Sequence, residues 1–196
     1  LLVHPDVKAR DVAELVALAK AGPGRLNYGS AGNGGISHLV PEMFKSQTGL
    51  FMVHIPYRGS APAVTDLVAG NLSMMFDGLP SVLPHVRAGR LRALAVTGQK
   101  RMASLPNIPT VTEQGFPKLT LESWSAFVAP KGTPLAIIDR LRLEIEKIVK
   151  SEDFDRKLEE RGFDTLSISR TELARVIQAD DARWAKVIKE RRITAN

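Results

Sequence analysis

No cysteine occurs among the 196 residues, so disulfides, thiolate metal sites and cysteine nucleophiles are all excluded. Cysteine absence leaves the compartment open, because oxidising and reducing locations both tolerate it. No run of 18 apolar residues is present, so no transmembrane helix is expected. Neither H-E-x-x-H nor a cluster of carboxylate ligands occurs, which disfavours a metal enzyme, and nothing calls for a cofactor. The phosphate-binding patterns G-x-x-x-x-G-K-[ST] and G-x-G-x-x-G are also missing, which disfavours nucleotide phosphates. What remains is 44% hydrophobic and 24% charged, with a mean hydropathy of −0.06. That is the composition of an ordinary globular chain, with room for one good-sized domain or two small ones. It excludes collagen-like and low-complexity chains and argues against global disorder.

Lys and Arg exceed Asp and Glu by 27 to 21. Most of the excess lies in one stretch, Arg87, Arg90, Arg92, Lys100 and Arg101, with no aromatic residues interleaved for base stacking. A solvated face explains it, no nucleic-acid partner is expected, and a mildly basic surface attracts small anions. The opening Leu1-Leu2-Val3-His4-Pro5 has no basic n-region and no small-residue cleavage site. A short apolar run ending in Pro reads as the tail of a strand, so the chain is expected to begin in mid-fold.

From there the chain follows a repeating rhythm. Asp11 with Glu14 forms a capping-box pattern, and a helix stops at Gly22-Pro23-Gly24. Strand 26–29, a Gly-rich turn and a helix from Ile36 to about Gln47 follow, with Pro41 expected to kink that helix or delay its start. Strand 51–55, helix 60–69, strand 72–76, helix 80–88 and strand 91–97 complete a β-α-β-α-β-α-β series, the pattern of a parallel sheet. Pro106, Pro109, Gly115 and Pro117 mark a long connection. Beyond it, strand 123–129, a helix with Thr133 as N-cap and Pro134 first, a short helix 152–161 and strand 163–167 are predicted. A capping box, Ser169 with Glu172, opens a last helix to about Arg192. Trp124 and Trp184 read as core. The pattern divides into a complete α/β lobe, 6–122, and an incomplete second lobe, in which 1–5 and 123–196 supply crossing strands and C-terminal helices.

In an open α/β sheet ligands collect beyond the carboxyl ends of the strands. The strongest candidate there is Tyr28-Gly-Ser-Ala-Gly-Asn-Gly-Gly35, a strand–glycine turn–helix unit. Glycines let the backbone approach a ligand, and the helix N-terminus offers free N–H groups with partial positive charge. That combination makes an anion cradle, with Ser37 and His38 as further donors. The plainer explanation is a tight turn in which Ser30 or Asn33 caps the helix, but four glycines exceed what a cap needs. A nucleophile elbow is a near miss, since Tyr28 stands where G-x-S-x-G needs Gly, and no histidine is identified as a base for Ser30. A serine hydrolase using Ser30 is kept as the alternative. Ser60-Ala61-Pro62 opens a second helix toward the same edge. Asp77 is either a helix cap or an acceptor for a ligand. Arg58 reads as a surface residue.

Five motifs carry a resemblance that covers essentially the whole chain: Tyr28-Gly-Ser-Ala-Gly-Asn-Gly-Gly-Ile-Ser-His38, Pro56-Tyr-Arg-Gly-Ser-Ala-Pro-Ala63, Met75-Phe-Asp-Gly-Leu-Pro-Ser81, Gly89-Arg-Leu-Arg-Ala-Leu-Ala-Val-Thr97 and Leu105-Pro-Asn-Ile-Pro-Thr-Val111. The chain resembles the Bug-type extracytoplasmic receptors of tripartite tricarboxylate transporters. The resemblance implies a two-lobed, periplasmic-binding-protein-like clamp that closes on a small carboxylate without catalysis. It implies a periplasmic location and the membrane components of the transporter as partners. It places Ser30, Gly32, Asn33, Gly34, Gly35, Ser37 and His38 around a ligand carboxylate and Asp77 near the ligand's other end. The family's first lobe opens with a strand and a Pro-Gly-Gly loop not found here, so the chain is expected to be the C-terminal two-thirds of such a receptor. Apolar stripes left uncovered suggest self-association around Trp184, Val187 and Ile188.

Overall fold

The computed structural model describes residues 1–194. Asp11 opens α1 (Val12–Ala21), its carboxylate accepting the Glu14 N–H at 2.7 Å. Glu14 reaches back to the N–H of Arg10, one residue earlier than a capping box requires. Short extended runs alternate with helices from there: β1 (Leu2–Val3), β2 (Asn27–Ser30), α2 (Ile36–Thr48), β3 (Val53–Pro56), α3 (Ser60–Val68), β4 (Met74–Met75), α4 (Leu79–Arg87) and β5 (Arg92–Ala93). The helix carrying Pro41 neither breaks nor starts late; α2 runs through it and is buried continuously from Ser37 to Lys45.

The strand order is β3-β2-β4-β1-β5. β2 pairs in parallel with β3 and β4. β1 lies between β4 and β5, antiparallel to both, so Leu2 faces Met75 and Ala93 while Val3 faces Met74 and Arg92. The expected all-parallel sheet is therefore mixed, because β1 occupies the place beside β4 that β5 would otherwise fill. Period-2 alternation splits neighbouring residues between two apolar layers. Val3, Tyr28 and Met74 join α1 and α2 on one face, with Phe44 and Leu15 among the largest buried side chains. Leu2 and Met75 join Val64, Leu67 and Val82 of α3 and α4 on the other. Full burial of a side chain of this size contributes roughly 1.5–3 kcal/mol, so the two layers together hold the sheet.

After a 3-10 turn at Pro117–Leu119 come α5 (Leu135–Val149), α6 (Glu152–Glu159) and α7 (Arg170–Arg191). Ser169 and Glu172 form the expected reciprocal capping box of α7. Thr133 does not cap α5: Pro134 holds that place, and the Thr133 hydroxyl donates to Pro130 O at 2.8 Å. The strands predicted over 123–129 and 163–167 do not form. Among the described residues no neighbouring strand pairs their backbone groups, and Phe127 and Val128 remain 81% and 86% exposed. Trp124 is not core either; it is half-exposed, its indole N–H donating to Asp180 at 2.8 Å. Trp184 and Val187 do pack, against the layer that holds α2. Of the three residues expected to mediate self-association, Trp184 and Val187 are thus covered while Ile188 stays 38% exposed, and further bare apolar side chains lie on α5 at Leu135, Leu141 and Leu143.

Candidate functional site

Three helices start where the parallel strands end. α2, α3 and α4 follow β2, β3 and β4, and their N-caps are Gly35, Gly59 and Gly78. None of the three has a side-chain cap, and none carries an acidic residue in its first turn. α1 and α7, by contrast, are capped by Asp11 and Ser169. At α2 the uncapped first turn leaves N–H donors and the positive end of the helix dipole unanswered. The turns are laid against one another: Tyr57 N–H donates to Ser30 O at 2.9 Å and Gly59 N–H to Ala31 O at 3.0 Å.

Within the glycine loop, three backbone donors are used internally. Ala31 N–H donates to Ser37 Oγ at 2.9 Å, Gly32 N–H to Ser30 Oγ at 3.2 Å, and Gly34 N–H to His38 Nδ1 at 3.1 Å. Ser30, Ser37 and His38 are buried and act as braces of the loop rather than as its surface. The N–H groups of Asn33, Gly35, Ile36 and Ser37 have no acceptor among the described residues. Gly32 and Gly34 adopt φ of 143° and 74°, conformations that side chains rarely take, and the loop's shape depends on them. Four free donors between Asn33 and Ser37, at an uncapped helix start, suit a carboxylate.

No histidine is identified from the sequence as a partner of Ser30; the structure supplies one. Ser30 Oγ and His54 Nε2 are hydrogen-bonded at 2.6 Å. The β2–β3 register sets Tyr28 beside His54, and Ser30 lies two residues on, so all three side chains share one face. Sequence reasoning missed His54 because the parallel register was not worked out. The pair is nevertheless no nucleophile and base. Ser30 is wholly buried, no carboxylate hydrogen-bonds His54, and burial with the neighbouring His38 pushes the His54 imidazole down to about 4. The Ser30 hydrolase alternative finds no support.

Sequence reasoning also missed the cluster beneath the loop. Glu42 accepts from Tyr28 OH at 2.6 Å, Lys45 Nζ at 2.5 Å and, from α7, Arg191 Nε at 2.6 Å. Burial raises the Glu42 pKa, but hydrogen bonds from Lys45, Tyr28 and Arg191 prevail and hold it down to about 2. A Glu and a Lys three apart on a helix seldom signal burial, and nothing in the sequence paired Glu42 with a residue 149 positions away. Tyr28, His54 and His38 stack in series, with centroids 4.8 and 3.9 Å apart.

Asp77 lies on the same edge. Its carboxylate accepts from the Ser60 hydroxyl of α3, the Ser81 hydroxyl at 2.8 Å and the Gly78 N–H at 2.9 Å, joining the starts of α3 and α4. Arg58 is exposed, as expected. Two of the basic residues read as a solvated face are engaged within the protein: Arg92 donates to Val7 O and Ala9 O, and Arg101 pairs with Glu113.

Comparison with known proteins gives the chain a family. The chain is 38% identical to a protein of the tcbD–tcbE intergenic region of Pseudomonas sp. (strain P51), over 100% of its own length and 59% of that protein's. It is 36% identical to Protein BugT of Bordetella pertussis, over 97% of its length and 58% of that relative's. An R. palustris protein solved with adipate superposes with a TM-score of 0.90 at 36% identity, covering 100% of this chain and 66% of the other. The chain thus spans less than two thirds of the length of these relatives. Residues 1–193 match the family described as the tripartite tricarboxylate transporter family receptor, and the chain belongs to that family.

Proposed function

We propose that this chain carries the carboxylate-holding part of a periplasmic solute receptor that serves a tripartite tricarboxylate transporter and performs no catalysis. The observation that carries the reading is the cluster of unpaired N–H groups at Asn33, Gly35, Ile36 and Ser37, set at an uncapped helix start. Family membership and the adipate-bound R. palustris structure support it. Residues 6–122 carry the ligand-binding lobe; β1, read as a crossing strand of the other lobe, pairs inside its sheet between β4 and β5, and α7 packs on its α2 side. Three of the roughly four lone-pair sites of the Asp77 carboxylate are taken. The remaining one accepts from a hydroxyl or water at the ligand's far end. No helix among the described residues is long and apolar enough to cross a membrane, and the membrane partners are the transporter's own components.

A second reading concerns assembly: the exposed Leu135, Leu141 and Leu143 of α5 and the exposed Phe127 and Val128 favour an apolar contact, with another copy of the chain as one occupant.

The cradle is tested by calorimetric titration of adipate into two variants at one site. Gly35 has φ −73°, which proline adopts, and an added Cβ would meet only Gly32 O at 3.6 Å. Gly35→Ala keeps the N–H and should bind as the parent does. Gly35→Pro removes it and should weaken binding about tenfold, one charge-assisted hydrogen bond. Equal affinities in both variants would sink the proposal.

A further inference from the structure

The His38 side chain is buried, and its Nδ1 is already engaged within the loop. It holds the loop. Its Nδ1 accepts the Gly34 N–H, and that bond places the loop between two candidate donors, Asn33 and Gly35. Nothing lies within 4 Å of where a Gly34 side chain would be, so packing does not fix the chain there. The hydrogen bond does. The imidazole plane is set in turn by the stack on His54, inclined by 13°, and by His54 on Tyr28, inclined by 16°. Tyr28 is tied to Glu42. The orientation of the exposed loop is therefore referred back to the sheet through three rings.

We propose that His38 is a positioning residue of the cradle, its neutral Nδ1 gripping the Gly34 amide, and that a proton on that atom releases the loop and weakens carboxylate binding. The proposal rests on the reading of the loop as a carboxylate cradle. A protonated Nδ1 is a donor facing a donor, so the bond cannot survive. The titratable or charged groups packed around this ring are His54 from β3, Tyr28 from β2, Glu42 and Lys45 from α2 itself, and Arg191 from α7 through Glu42. Burial lowers the His38 pKa from its ordinary value, with Glu42 opposing and Lys45 assisting. The release accordingly belongs to the acid side of the ordinary imidazole range.

The test compares three forms of the chain with adipate as the probe, titrated calorimetrically from neutral to acid pH. His38→Asn offers an amide oxygen near the position of Nδ1 and cannot titrate. His38→Leu offers no acceptor. The parent should lose affinity relative to His38→Asn as pH falls, and that ratio cancels the titration of adipate itself. His38→Leu should bind about tenfold more weakly at neutral pH, or 1.4 kcal/mol. A parent-to-Asn ratio that stays constant with pH overturns the proposal, as does a folded Leu variant that binds like the parent. Should the Leu variant not fold, nitrogen-15 spectra of the ligand-free parent decide: the Gly34 amide must move with the His38 titration, and an amide that ignores it overturns the positioning role. Adipate that fails to bind the parent at any pH refutes the cradle reading itself, while the ligand-free spectra still judge the His38–Gly34 bond.

Discussion

Glu42 is the residue on which the ground beneath the cradle depends. Its two carboxylate oxygens take hydrogen bonds from Tyr28, Lys45 and Arg191, and both Glu42 and Lys45 are almost wholly buried. Desolvating such a pair is costly, and the attraction between them offsets that cost only while both members are present. Glu42→Leu leaves the Lys45 ammonium buried without a partner and frees Arg191 from α2. The expected loss is about 3–5 kcal/mol of unfolding free energy, measured by urea denaturation. A double replacement, Glu42→Leu with Lys45→Met, should recover much of it, because an apolar pair of similar volume is often tolerated where a half-pair is not. A Glu42→Leu chain as stable as the parent would show that the cluster is incidental.

At the scale of elements, Asp77 joins two helix starts. Its carboxylate collects the Ser60 and Ser81 hydroxyls and the Gly78 N–H, so α3 and α4 are set relative to each other by one side chain. Asp77→Ala leaves these donors to water and should cost roughly 1–3 kcal/mol, with α3 and α4 amides exchanging faster with solvent than those of α1. Amides of α3 and α4 that exchange no faster than those of α1 would contradict this coupling. This level is also where the sequence was most legible. Capping residues and glycine stops give α1 through α4 and α7 to within a few positions, because those signals are local. The glycine loop and Asp77 were legible as one edge of a sheet for the same reason. Pairing was not. β1 enters the sheet between β4 and β5, and no local signal reports that a two-residue strand will run antiparallel to both. The apolar runs at 123–129 and 163–167 have strand composition but no neighbour to pair with, and a strand is a property of two segments. His54 and Arg191 were hidden likewise, each meeting its partner only through register or packing.

For the whole molecule the buried titratable groups set how folding responds to acid. His54 has its pKa lowered from 6.5 to about 4, by burial first and then by His38, and His38 is lowered in the same direction. Below 6.5 the unfolded chain binds protons that the folded chain refuses, so stability falls between pH 6.5 and about 4 and levels off below. After allowance for solvent around the ring, that loss is on the order of 1–2 kcal/mol. Glu42 acts lower: its pKa falls from 4.5 to about 2, so its contribution is full above 4.5 and is lost as pH drops toward 2. Thermal unfolding followed over pH should show two successive declines, and the first should vanish in a His38→Asn, His54→Asn chain. A single decline beginning below pH 4.5 would refute the histidine part.

The central claim is that the backbone amides at the start of α2 hold a carboxylate, and nitrogen-15 amide spectra of the chain titrated with adipate test it most directly. The account predicts the largest shifts at Asn33, Gly35, Ile36 and Ser37, whose N–H groups lack protein acceptors, and smaller ones at Gly32 and Gly34, whose amides are already engaged. Saturable binding whose shifts fall elsewhere, leaving those four amides unmoved, would contradict it.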